Sequence, residues 1–175
     1  ELSVINSLGY LDGTQAPQQS SAVVSRLAPG EKFDSQTLVV SGHAPGAQLI
    51  DFDGNVIHEW RCNFDDVWPG RNVSGGEPQK HFWRRAHLYP DGSILGIFEY
   101  LGAVKLDSYS RVNWAKDNRF NHDISVTDDG TIYMLEQKPT ARPAVNPDLK
   151  IMDDHVTRLT QDGDIIDSVS LVDWV

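Results

Sequence analysis

The chain has 175 residues, of which 39% are hydrophobic and 23% charged, the composition of a globular domain with a core and not of a disordered chain. A net charge of −10 repels phosphate backbones and argues against nucleic acid as a partner. The single cysteine, Cys62, excludes an intrachain disulfide and a paired-cysteine metal site, and no apolar run approaches the roughly 20 residues of a transmembrane helix.

The first 36 residues differ in composition from the rest of the chain. Their second half, "TQAPQQSSAVVSRLAPGEKFD", is rich in Gln, Ser and Pro and is typical of an extended arm or linker. We therefore divide the chain into an arm over 1–36 and one domain over 37–175. Because the sequence begins with Glu1 and not with Met, we expect a processed or trimmed N-terminus.

Four Asp-Gly pairs punctuate the domain and lie between apolar segments. They are Asp53-Gly54, Asp91-Gly92, Asp129-Gly130 and Asp162-Gly163, at intervals of 38, 38 and 33 residues. Asp-Gly favours a two-residue hairpin turn in which both central residues have positive φ. The near-regular spacing indicates a structural repeat built from hairpins.

Two kinds of hairpin alternate along the domain. Segments 48–60, 103–115 and 156–169 pair a short apolar start with an alternating strand, which suits the outer hairpin of a sheet. Segments 87–100 and 124–137 are more apolar, as an inner hairpin covered on both faces should be. The order outer, inner, outer, inner, outer predicts four-stranded sheets made of one inner and one outer hairpin.

Repeated four-stranded sheets predict an all-β fold, namely a β-propeller. The domain holds about two and a half to three blades, whereas closed propellers have about four to eight. We therefore expect another chain, or a segment missing from this sequence, to complete the ring. We expect Trp60 and Trp114 to occupy the same position in their repeats and to pack between blades, and His58 to lie at the surface. A compact sandwich of the same strands is the alternative architecture.

The segments "AQLIDFDGNVIHEW", "FWRRAHLYPDGSILGIFEYLGAVKLDSYSRVNWA" and "FNHDISVTDDGTIYMLEQ" resemble consecutive parts of bacterial arylsulfotransferase-like β-propellers. The resemblance spans about 37–175. It implies a six-bladed propeller in the periplasm or elsewhere outside the cytoplasm. It also implies transfer of a sulfuryl group from an aryl sulfate to a phenol through a histidine, without a nucleotide donor or other cofactor.

Alignment of the two inner hairpins on their turns places the candidate catalytic residues at one rim of the propeller channel. His122 is the candidate nucleophile or acid, and His87 is a second imidazole that returns a proton to the leaving phenolate. Arg84 and Arg85 are candidate ligands of the sulfate oxygens, since guanidinium groups match oxyanions. Successive strand residues face opposite ways, so we expect one of the two arginines to face the channel.

Three further residues are candidate substrate ligands at the same rim. Asn121 precedes His122 and stands where members of the resembling family commonly carry a second histidine. His43 lies in a Gly/Pro turn that could line the mouth, and Trp83 could stack on an aromatic ligand. For each histidine the alternative is a hydrogen-bonded structural role. No metal site is predicted, since the acidic turn before His155 reads better as solvated than as a cation site.

A second function of a different class fits the same sequence. The extended arm, the long connections 61–86 and 138–154 and the incomplete set of blades would suit a non-catalytic propeller that serves as an accessory or interaction subunit of a larger extracytoplasmic assembly. Asn121 in place of a histidine favours this reading, whereas His122 and the Arg84-Arg85 pair favour the enzyme.

Overall fold

The computed structural model of the protein describes residues 35–73 and 75–174. In this part of the chain eleven strands form three antiparallel sheets, which confirms the predicted all-β class. Nearly all of the arm predicted over 1–36 lies outside the described residues.

The first sheet has three strands in the order β1-β2-β3. The second strand is paired on both sides, with Ala47 opposite Val40 on one side and opposite Trp60 on the other. The strands are β1 Thr37–Val40, β2 Gly46–Ile50 and β3 Val56–Arg61.

The second sheet is a four-stranded meander in the order β4-β5-β6-β7. Both central strands are buried along their whole length, because other parts of the chain cover both faces. An inner hairpin is followed by an outer hairpin in the same sheet, which confirms that part of the predicted order. The strands are β4 Arg85–Leu88, β5 Ile94–Phe98, β6 Gly102–Leu106 and β7 Val112–Lys116.

The third sheet repeats this meander in the order β8-β9-β10-β11 and has the longest strands. The segment 138–154, which we expected to be a long loop, instead lies largely in β9 and β10, where Pro139 pairs with Met152. The strands are β8 Phe120–Val126, β9 Ile132–Ala141, β10 Lys150–Leu159 and β11 Ile165–Ser170.

The turns of the five predicted hairpins share one geometry, and it is not the two-residue turn that we predicted. In the β4–β5 turn, Tyr89 N–H donates to the Ser93 carbonyl and Gly92 N–H donates to the Tyr89 carbonyl, and the other four turns repeat this pattern. It is the pattern of a three-residue loop whose last residue is left-handed. That residue is Gly54, Gly92, Ser110, Gly130 or Gly163, and in the described chain none of the preceding Asp residues has positive φ. Asp-Gly is favoured here because one position, not two, requires glycine.

The sheets stack face to back. The front face of each sheet is defined here as the one that carries Leu49, Lys105 or Arg158. The front of the first sheet packs through Ala47 and Trp60 on the back of the second, and the front of the second packs on the back of the third. Within this stack β4 lies against β1, and β8 lies against β4 and β5. The second interface consists of Tyr89, Leu95, Ile97, Ala103, Phe120, Ile132, Met134 and Leu159.

A side chain at one register position of β3, and at the same position of β7, reaches towards the next sheet. His58 pairs with Leu49, and its Nε2–H donates to the Ser108 carbonyl at 2.8 Å. Trp114 pairs with Lys105, and its Nε1–H donates to the Gln161 carbonyl at 3.0 Å. Two expectations were therefore wrong: His58 is a half-buried interface residue, and Trp114 corresponds in register to His58 and not to Trp60. Trp60 also crosses the interface, since its Nε1–H donates to the Gly92 carbonyl.

The connection between the first two sheets contains two short helices. It holds α1, Phe64–Val67, and a 3-10 helix, Pro78–His81. Phe64 is buried and packs edge-on against Phe98 of the second sheet, so this connection covers one end of the core. None of the helices in the described part of the chain is long and apolar enough to cross a membrane.

Candidate functional site

Two strained residues meet where the second and third sheets adjoin. His122 lies in a β-bulge of β8 with φ of 50°, and Tyr100 follows β5 with φ of 61°. The backbones are linked directly, since Tyr100 N–H donates to the Phe120 carbonyl at 2.7 Å. A side chain larger than hydrogen costs about 1–2 kcal/mol in this left-handed region, and such strain is concentrated at functional sites.

The His122 ring lies between an acid and a phenol. Its Nδ1 is 3.3 Å from Glu99 Oε1, and its Nε2 is 3.4 Å from the Tyr100 hydroxyl. A carboxylate beside Nδ1 favours the tautomer with the proton on Nδ1, because Nδ1–H then donates to it. That tautomer presents the Nε2 lone pair for nucleophilic attack or for proton transfer. The side chain is 53% exposed, so a ligand can reach it.

The two predicted arginines bind different acids. Arg84 Nε is 3.4 Å from Glu99 Oε1, the same oxygen that faces His122. Arg85 Nε is 3.0 Å from Asp123 Oδ1 across the β4–β8 junction. The structure thus brings Arg84 and His122 together through Glu99, and places Arg85 beside them in a separate ion pair.

Tyr100 remains protonated at neutral pH. Burial raises its pKa, and the nearby charge of Glu99 acts in the same direction. The guanidinium of Arg119 lies over its ring, 5.4 Å from the centroid. The phenol therefore acts as a hydrogen-bond donor beside Nε2 of His122.

A cavity of about 360 Å³ opens beside this cluster. Glu99 and Tyr100 form the wall that it shares with the cluster, and Arg71 and Arg119 contribute further charge. Sequence reasoning did not single out Glu99, Tyr100 or Arg119. Glu99 and Tyr100 follow the last residue of β5, and they meet His122 only because the next sheet packs there.

Asn121 and Trp83 lie close to the cluster in sequence but are buried. Asn121 is 1% exposed, and its Oδ1 has no hydrogen-bond partner among the described residues. Trp83 is also 1% exposed and packs edge-on to Phe98 in the core. Its ring rests on Gly96, where a Cβ would lie 2.5 Å from the indole. We expected Trp83 to stack on a ligand, and the structure instead buries it in the core.

His87 and His43 lie in other places. His87 faces a cavity of about 610 Å³ at the opposite ends of β4 and β8, with its ring 4.7 Å from that of Tyr89. Burial, and then the positive charge of Lys105, lower the pKa of His87, which favours its neutral form. His43 is exposed, contacts Ser41 through Nδ1 and lines a cavity of about 220 Å³ on the first sheet.

The acidic stretch before His155 is part of a buried network and not a solvated turn. Asp153 is fully buried, accepts hydrogen bonds from Ser170 and Arg142, and lies 3.5 Å from His155 Nε2. The Asp153 carboxylate is therefore paired with a guanidinium and a hydroxyl group within the network. Among residues 35–73 and 75–174, no three His, Cys, Asp or Glu side chains are grouped to hold a metal ion.

The fold and the site together define an all-β protein of stacked antiparallel sheets with a histidine–carboxylate–tyrosine cluster between two of them. No model of a known protein family matches the chain, and no curated protein is similar enough to count as a relative. The resemblance to arylsulfotransferase-like propellers therefore stays a prediction.

Proposed function

We propose that the protein transfers a sulfuryl group from an aryl sulfate to a phenol, with His122 as the covalent carrier. The observation that carries this proposal is the position of the His122 ring, with Nδ1 against Glu99 and Nε2 turned to the Tyr100 hydroxyl. A carboxylate that orients an imidazole, with a strained backbone beneath it, is the arrangement that activates a nitrogen nucleophile.

The residues divide the chemistry between them. The Nε2 lone pair attacks sulfur, and a nitrogen–sulfur bond forms as the bond to the phenolic oxygen breaks. The departing phenolate accepts a proton from the Tyr100 hydroxyl, and Arg84 stabilises the sulfate oxygens. In the second half the oxygen of an acceptor phenol attacks sulfur and releases His122, and its proton returns to Tyr100. Proton and electron pairs balance over the cycle.

We propose further that the sheets belong to a β-propeller. Front-to-back stacking with β4 and β8 side by side supports a fan of blades about an axis near these first strands. In this arrangement further sheets, from a second chain or from a segment beyond this sequence, cover the front of the third sheet. The intact mass and the molar mass in solution test this proposal, and a stable, closed monomer of these 175 residues contradicts it.

The enzymatic proposal is tested with 4-nitrophenyl sulfate as donor and phenol as acceptor. We expect release of nitrophenolate that depends on phenol, and its loss in His122→Ala. His81→Ala, in the exposed 3-10 helix, is the matched control and should keep full activity. Mass spectrometry of the protein with donor alone should find one added SO₃ group on the peptide that holds His122. An unmodified peptide and unchanged turnover in His122→Ala contradict the proposal.

A second candidate function is that of a non-catalytic accessory subunit outside the cytoplasm. The observation that favours it is the buried Asn121, which presents no reactive group where a second histidine would stand. The front of the third sheet, with Val169 and Leu171 exposed, is a surface for a partner. Absence of turnover in the intact assembly, with His122→Ala leaving assembly unchanged, supports this function over the first.

A further inference from the structure

The cavity beside His122 gathers positive charge in a strongly acidic protein. The chain carries a net charge of −10, yet two arginines, Arg71 and Arg119, line this one cavity. Among the described residues that line the cavity, the one acidic residue, Glu99, already contacts Arg84 and His122. The positive charge of Arg84, which does not line the cavity, therefore offsets the negative charge of Glu99. The cavity is therefore suited to an anion.

Both guanidinium groups are held in place by other residues. Arg71 donates to the carbonyls of Leu101 at 2.6 Å and Asp117 at 3.0 Å, and it lies 5.6 Å above the Trp68 ring. Arg119 donates to Gln137 Oε1 at 3.2 Å and lies over the Tyr100 ring. A planar donor fixed in advance loses little entropy when it binds a carboxylate.

The cavity also has a polar atom that lacks a partner. Oε1 of Gln79 is buried and has no hydrogen-bond partner among the described residues, and Gln79 lines the cavity. Burying a polar atom without a partner is unfavourable, and a polar ligand group would satisfy it. The Tyr100 ring forms part of the wall and offers an aromatic surface.

We propose that this cavity binds the anionic ring substituent of an aromatic substrate, so that the preferred acceptor is a phenol that carries a carboxylate. The carboxylate binds Arg71 and Arg119, and the ring lies along Tyr100 with its hydroxyl towards His122. The proposal rests on the proposed function for the placement of the reacting oxygen, whereas anion binding itself depends only on the two arginines.

The test compares 4-hydroxybenzoate with 4-hydroxybenzamide, which has the same shape and no charge. Isothermal titration with the purified protein should give a dissociation constant at least about tenfold lower for the carboxylate, since hydrogen bonds to a charged group are stronger than those between neutral groups. Arg119→Gln should remove this preference. Arg111→Gln is the matched control, because Arg111 also lies over a tyrosine ring, Tyr109, at 5.2 Å and is far from the cavity in the fold.

Each outcome decides one of the two proposals. Equal affinity for the two ligands, no binding of either, or equal losses in Arg119→Gln and Arg111→Gln would overturn the anion site. Sulfuryl transfer to plain phenol with no preference for hydroxybenzoate leaves the proposed function standing and rejects the anion site. Binding that requires Arg119, without sulfuryl transfer to any acceptor, supports the anion site and rejects the proposed function.

Discussion

Tyr100 and His122 come from adjoining sheets, yet both adopt the left-handed backbone conformation, and their rings meet edge to face with centroids 6.0 Å apart. Each places a bulky side chain where glycine would be favoured. The third such residue in the described chain is Ser110, which occupies the glycine position of a hairpin turn. Tyr100 lies in the tight turn between β5 and β6, where Leu101 N–H donates to the Phe98 carbonyl at 2.8 Å. His122 lies inside a strand with no such turn, so its strain is the one that indicates a function.

Strain at His122 should invert the usual order of alanine and glycine. In an ordinary strand glycine is less stable than alanine by about 0.5–1 kcal/mol. At position 122 we expect His122→Gly to be more stable than His122→Ala by about 1 kcal/mol, because only glycine accepts this φ without cost. Urea unfolding measures the difference. Ser125, in the same strand without positive φ, is the control and should show the ordinary order; the same order at both positions would contradict the strain.

Gly163, in the β10–β11 turn, lies against the Trp114 ring, and replacing it should destabilise the fold. A Cβ there would lie 2.7 Å from the Trp114 ring, in addition to the cost of φ at +84°. We expect Gly163→Ala to cost about 2–5 kcal/mol, the sum of left-handed strain and overpacking. Gly70→Ala isolates the strain alone, since Gly70 has φ of +71° and open space around it, and should cost about 1–2 kcal/mol. Equal losses at the two positions would rule out the ring contact.

The Cys62 thiol should be unreactive in the folded protein. It is 7% exposed, and burial raises its pKa from 9.0 to about 11. Because the thiolate is the reactive species, alkylation by iodoacetamide at pH 8 should be about a hundredfold slower than in urea-unfolded protein. Mass spectrometry over time measures both rates. Similar rates in the two states would mean that Cys62 is accessible in the native fold.

The Asp153 network should make stability depend on pH in the acid range. Burial opposes its ionisation, but hydrogen bonds from Ser170 and Arg142 outweigh burial and lower its pKa below 3.8. A lowered folded-state pKa stabilises the fold above the unfolded pKa, and this contribution is lost as the pH falls through the folded value. Asp153→Asn should therefore show a smaller loss of stability between pH 6 and pH 3 than the wild type.

Thermal unfolding at several pH values measures this slope. Asp128→Asn, in the exposed β8–β9 turn, is the control and should keep the slope of the wild type. If Asp153→Asn also keeps the wild-type slope, the network does not control acid stability, whatever the loss of stability at neutral pH.

The hairpins could be predicted from the sequence because their signals are local. Alternation and Asp-Gly place each strand and turn within a few residues, and the order of inner and outer hairpins follows from their apolar content. The turn type was wrong because the dipeptide suits two geometries, and only the backbone distinguishes one positive φ from two. Trp114 was aligned with Trp60 by residue type, whereas strand register aligns it with His58.

The candidate site was predictable in part. Arg84 and His122 were expected at one rim, and both contact Glu99 in the structure. Glu99, Tyr100 and Arg119 were not predicted because they cluster with His122 only where two sheets pack together. Sequence patterns do not show which sheets pack on each other. Trp83 was expected to bind a ligand because of its residue type. In the structure the missing side chain of Gly96 leaves space in the core, and the Trp83 ring fills that space.

His58, Trp114 and Asp167 occupy the same edge-strand position in their three sheets. The first two are rings that donate to a carbonyl of the following sheet, whereas Asp167 is held by Arg158 in its own sheet. Three otherwise similar sheets thus carry an imidazole, an indole and a carboxylate at the same position. The third sheet therefore offers no ring donor at this position, and a further sheet laid on its front face would meet the Arg158–Asp167 ion pair there.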